Sequence, residues 1–118
     1  MEHFEMNLNI WYYLPNKYLD KLPLIFSQMD GWLGSGMSNP KIKDSGFWFS
    51  YSIDKSVKYI CCLHEPSGLH FNANMEREEW EKWKVKLKKV ATEILGFNVG
   101  EPEIGDCDYD FGHEYAGK

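Results

Sequence analysis

Long apolar runs are missing from this 118-residue chain. None approaches the roughly 20 residues that a membrane-spanning helix needs. The amino terminus, MEHFEMNLNI, lacks the basic segment and apolar stretch of a secretory signal. Cysteine is sparse: Cys61, Cys62 and Cys107 make an odd count with no Cys-x-x-Cys spacing. Neighbours on a strand point to opposite faces, so a Cys61–Cys62 bridge is sterically poor and reduced thiols are expected. Together these absences predict a cytoplasmic protein. Basic residues are also outnumbered, 13 Lys and Arg against 18 Asp and Glu, for a formal charge of −5. That balance disfavours nucleic acid and anionic membrane as partners, because both are bound largely through charge neutralisation. Neither Gly-x-Ser-x-Gly nor a phosphate-binding Gly-x-x-x-x-Gly-Lys-Ser/Thr loop occurs. No linker, repeat or low-complexity tract divides the chain, so residues 1–118 are expected to form one domain.

Apolar and aromatic side chains are plentiful, at 43% and 16%, which excludes a disordered chain. Residues 4–13 alternate like a half-buried strand, with Phe4, Met6, Leu8, Ile10 and Tyr12 on one side. Helical spacing follows from Tyr18 to Met29, interrupted by Pro23 and stopped by Gly31. Residues 31–46 read as a long loop, and then three alternating stretches, 47–53, 57–63 and 69–75, read as a meander. Three-residue turns would set Ile53 opposite Val57 and Glu65 opposite Leu69, which places His64 opposite His70. A helix over 76–95, capped by Asn74 and stopped by Gly96, carries Trp80, Trp83, Leu87, Val90 and Ile94 as its apolar stripe. A last strand is predicted over about Glu101 to Phe111. The order β-α-β-β-β-α-β predicts an α+β two-layer sandwich: a five-stranded, mostly antiparallel sheet with two helices on one face. The other face is then open, and should carry Asn7, Asn9, Trp11, Trp48, Ser50, Ser52, Lys58, His64, His70, Asn72, Asn74, Asp106, Asp108 and Asp110.

Several readings of that face follow from its chemistry. Asp106, Asp108 and Asp110 match the opening of a calcium-binding EF-hand loop, but Phe111 stands where its glycine belongs and Gly117 where its bidentate Glu belongs. The EF-hand is rejected. A solvated strand face accounts for three aspartates alone. Glu101, Glu103 and Glu114 extend the run, however, so residues 101–114 hold six acidic groups and no Lys or Arg, which favours a cationic partner. Paired His64 and His70, with Cys62 on the same face, would supply two metal ligands, but a third and fourth stand at no standard spacing, so no metal and no cofactor is expected. Cys62 and His64 lack an orienting third group for nucleophilic catalysis. Trp11 and Trp48 on a polar face would be costly to expose unless covered or used as binding anchors.

The pieces GLHFNANM, the amphipathic helix after them, and LGFNVGEPEIGD resemble small bacterial immunity proteins of polymorphic and contact-dependent toxin systems. The resemblance covers mainly residues 69–110 and implies tight binding to a cognate protein toxin, commonly a basic nuclease, with no enzymatic activity. On this reading the partner-binding residues are Asp106, Asp108, Asp110, Glu101, Glu103, Trp11, Trp48, His70, Asn72 and Asn74. The alternative is a small ligand-binding or enzymatic domain, its pocket between the open sheet face and the 31–46 loop, lined by His64, His70, Asn72 and Asn74.

Overall fold

A computed structural model of the protein describes residues 1–36 and 43–117. Strands β1 (Glu2–Leu8), β2 (Trp32–Gly34), β3 (Gly46–Trp48), β4 (Tyr59–Glu65) and β5 (Gly68–Met75) form one antiparallel sheet in the order β1-β5-β4-β3-β2. Helices α1 (Asn16–Leu19), α2 (Leu22–Ser27) and α3 (Arg77–Leu95) complete the regular elements, with a final 3-10 turn at His113–Tyr115. Pro23 lies in the first turn of α2, where a missing N–H costs nothing, so the expected single helix becomes two short ones.

Period-two burial defines the inner face. Met6 and Leu8 of β1, Leu69, Phe71, Ala73 and Met75 of β5, and Ile60 and Cys62 of β4 all join one buried cluster. Leu22, Ile25 and Phe26 of α2 and Trp80, Trp83, Leu87, Ala91 and Leu95 of α3 enter the same cluster, so the helices lie on one side of the sheet. Trp48 is its aromatic centre, within 5.2 Å of Phe26 and 5.1 Å of Trp83 ring to ring. Its indole N–H donates to the Phe26 carbonyl at 3.1 Å. The α+β two-layer architecture follows directly.

Several registers differ from the sequence expectation. Pro66 and Ser67 make a two-residue turn, so Glu65 faces Gly68, and His64 faces Leu69 rather than His70. A slip of one residue exchanges the faces of a strand. Accordingly Ile60, Cys62 and His64 point inward, whereas Leu63 is exposed. Gly68 permits the tight turn: at φ 131° it avoids the strain a side chain would suffer, and an added Cβ would run into the Leu8 carbonyl. The strand expected over 47–53 ends at Trp48 because Phe49 takes φ 70°, so Ile53 and Val57 lie in a connecting loop instead of facing each other. Trp48 is thereby fully buried (0% exposed) on the inner face, not displayed on the open one.

Residues 101–111 form turns, and the fifth strand comes instead from Trp32–Gly34. Pro102 and the left-handed Gly105 interrupt the alternation, and two of the aspartates bond to nearby backbone in preference to a strand partner. Of the proposed 31–46 loop, residues 37–42 lie outside the described residues, while its two ends continue the sheet as β2 and β3. The proposed Asn74 cap is also replaced: α3 starts after Glu76, and the Asn74 amide donates to the carbonyls of Lys55 and Val57.

Candidate partner-binding site

The carboxyl-terminal segment is irregular but strongly anchored. Asn9, buried where β1 turns away from the sheet, is the centre of that anchoring. Its side-chain amide donates to Asn98 O at 3.1 Å and Asp108 O at 3.0 Å, and its Oδ1 accepts the Gly100 N–H at 2.9 Å. Its backbone N–H donates to Gly100 O. Trp11 donates its indole N–H to Phe111 O at 2.8 Å, and the Phe111 ring stacks on Phe97 at 4.0 Å. These bonds satisfy backbone groups that a strand ladder would otherwise have satisfied. They also hold residues 98–113 against the end of the sheet.

The acidic residues of this segment divide by role. Glu101 and Asp106 accept from the Lys88 ammonium at 2.7 and 2.8 Å, and Asp106 Oδ1 also accepts the Glu101 N–H at 2.5 Å. Burial alone would lower the Lys88 pKa and raise that of Asp106, but the ion pair and hydrogen bonds prevail: Lys88 is held above its ordinary value and Asp106 below. Asp108 accepts the Asn98 N–H at 2.9 Å. Gly100 is glycine because a side chain there would collide with Asp106. Glu101, Asp106 and Asp108 therefore shape the segment. Glu103, Asp110 and Glu114 are exposed, with the Asp110 side chain 98% accessible.

Between this segment and the β4–β5 turn lies a recess of about 340 Å³, lined by Asn7, Trp11, Tyr13, Pro66, Ser67, Pro102, Glu103, Tyr109 and His113. Trp11, 5% exposed, is its most deeply set aromatic wall. Tyr13 lies nearly parallel to it at 6.4 Å, and Tyr109 meets it edge-on at 5.6 Å. His113 contacts both Trp11 and Tyr109. Burial raises the Tyr13 phenol pKa, and the neighbouring Tyr109, Tyr12 and Glu114 push it further in that direction. The fixed indole and the pinned chain on the far side make the recess preformed.

The structure thus brings Trp11 and Glu103 together at the recess, with Asp110 close by through its 3.8 Å approach to His113. His70, Asn72 and Asn74 lie elsewhere, on the outer sheet face. His70 Nδ1 is 2.7 Å from Asn7 Oδ1, and its Nε2 is 3.1 Å from Glu5 Oε1. His64 is instead sequestered, its Nε2 donating to Ile10 O at 2.6 Å, and faces Asp44 at 3.3 Å. The two histidines project from opposite faces and do not form one ligand pair. Burial pushes the Cys62 thiol well above its usual pKa, leaving it a poor nucleophile beside His64.

A second depression, about 590 Å³, lies on the outer face among Met1, His3, Ile53, Lys55, Tyr59 and Asn74. Sequence reasoning placed Asn9 on the open face without its anchoring role, and missed Tyr13, Tyr109 and His113 as parts of the site. The run of Trp11, Tyr12 and Tyr13 directly after a strand, together with Tyr109 among aspartates, was the available signal. Compared with protein-family models, curated proteins and solved structures, the chain matches none.

Proposed function

We propose that this chain is an immunity-type protein that binds and neutralises a cognate protein toxin through its acidic carboxyl-terminal surface, without acting on it as an enzyme. The observation that carries this reading is the grouping of exposed Glu103, Asp110 and Glu114 around a preformed aromatic recess, in a stretch from residue 90 to 117 without Lys or Arg. Fixed like charges on a rigid surface favour association with a basic partner and disfavour wrong ones. Aromatic walls add contact area that loses little entropy on binding. A basic nuclease is one toxin class with the required surface charge.

Genetic neighbourhood and growth provide the test. An immunity protein must be made with its toxin, so the adjacent upstream gene is expected to encode a large secreted protein with a short toxic carboxyl-terminal domain. Coexpression of this chain should restore growth to cells making that domain, and the two should copurify. A metabolic neighbourhood with no growth rescue would sink the proposal.

The second reading is a small ligand-binding or enzymatic domain, supported by the 590 Å³ outer-face depression beside the polar Asn74. A small molecule retained by the purified chain, seen by native mass spectrometry and displaced by Tyr59→Trp, would favour it. Retention unaffected by that substitution would count against this depression.

A further inference from the structure

We propose that the recess formed by Trp11, Tyr13, Tyr109 and Glu103 is a receptor for a single arginine side chain, the anchor through which a basic partner docks; this rests on the reading of the chain as a binder of a basic protein. Its volume, about 340 Å³, accommodates one long side chain but is at the low end for small-molecule clefts. The rings of Trp11, Tyr13 and Tyr109, the His113 imidazole and one carboxylate line it, and no Lys or Arg stands among its lining residues. Ring faces attract cations through their quadrupole, and a carboxylate at the rim offers a second, directional contact.

Guanidinium suits both features at once. It is planar and weakly hydrated, stacks on aromatic faces, and presents a fork of N–H donors to a carboxylate. Ammonium is a compact, strongly hydrated point charge that gains less from flat walls. The half-buried Tyr13 and the exposed Tyr109 provide such walls, above a floor formed by the buried Trp11, whose plane lies 19° from that of Tyr13. The Trp11 indole N–H is already committed to Phe111 O, so the ring is held by the fold and needs no ligand to orient it.

The probe is N-acetyl-arginine amide, titrated into the full ¹⁵N-labelled chain while the Trp11 indole N–H and the Tyr109 and His113 amides are followed by NMR. Saturable shifts at these groups are expected in the millimolar range, with little response to the neutral isostere N-acetyl-citrulline amide or to butylammonium. Glu103→Gln and Tyr109→Ala should each weaken the response by about fivefold, the scale of one cation–π or charged contact at an exposed site. Spectra elsewhere should stay unchanged, because both side chains are exposed. Equal response to citrulline or butylammonium would overturn the arginine assignment, as would shifts confined to another surface or insensitive to both variants. Saturable arginine binding without any rescued toxin would sink the immunity reading alone. Toxin binding indifferent to Glu103→Gln and Tyr109→Ala would sink the recess alone.

Discussion

At the scale of single residues, Asn9 stabilises more of the site than any charged group. Its side chain serves Asn98 O, Asp108 O and Gly100 N from a fully buried position. Asn9→Ala should destabilise the chain by about 2–4 kcal/mol, since it strands the buried Gly100 N–H and the part-buried carbonyls of Asn98 and Asp108. Urea denaturation checks this, and a loss under 1 kcal/mol (about fivefold in the folding constant) would show the bonds to be redundant. The acidic residues should separate into two classes under charge reversal. Asp106→Lys would set a second ammonium beside Lys88 and should destabilise the fold. Glu103→Lys, Asp110→Lys and Glu114→Lys should leave stability within about 0.5 kcal/mol, as expected for exposed positions. Equal destabilisation by both classes would contradict the division.

Among the elements, the tie between α3 and the carboxyl-terminal segment should make stability depend on pH at both extremes. The folded pKa of Asp106 lies below its unfolded value, so its contribution is present above the unfolded value and is lost as pH falls through the folded one. The folded pKa of Lys88 lies above its unfolded value, so its contribution is present below that value and disappears as pH rises through the folded one. The difference in melting temperature between the wild type and Lys88→Met should therefore shrink below the ordinary aspartate value of 3.8 and above the ordinary lysine value of 10.5. A difference that stays constant below 3.8 and above 10.5 would remove the ion pair from the account. The β4–β5 turn makes a second prediction. Gly68→Ala should cost about 2 kcal/mol or more in urea denaturation, from backbone strain and collision with the Leu8 carbonyl. A neutral Gly68→Ala would mean that the turn readily repacks.

The same elements explain what was legible in the sequence. The stripe of α3 and the alternation of β5 are long and periodic, so local pattern and burial agree. The face of β4 was misread because Tyr59-Ile60-Cys61-Cys62-Leu63 is apolar at every position, and only the turn length selects which side is buried. Asp106, Asp108 and Asp110 alternate as a strand would, yet the Asp106 carboxylate accepts from the Lys88 ammonium and the Glu101 N–H and that of Asp108 from the Asn98 N–H, partners that periodicity does not connect to them.

For the molecule as a whole, among the described residues, one layer of helices covers one sheet face, leaving the outer sheet face and the acidic carboxyl-terminal surface exposed, with β1 and β2 as the edge strands. The charge of −5 is unevenly placed, because Lys88 neutralises part of the acidic segment near α3 while Glu103, Asp110 and Glu114 remain accessible. Association driven by those groups should weaken with added salt, since exposed charges are screened over about 8 Å at physiological ionic strength. The most direct measurement is calorimetric titration of the proposed cognate toxin domain into the wild type and into the Glu103→Gln, Asp110→Asn, Glu114→Gln triple variant, at low and high salt. The account predicts that the variant loses at least about tenfold in affinity at low salt and most of its salt dependence, with the fold intact. Equal affinity and equal salt dependence in the two proteins would contradict it.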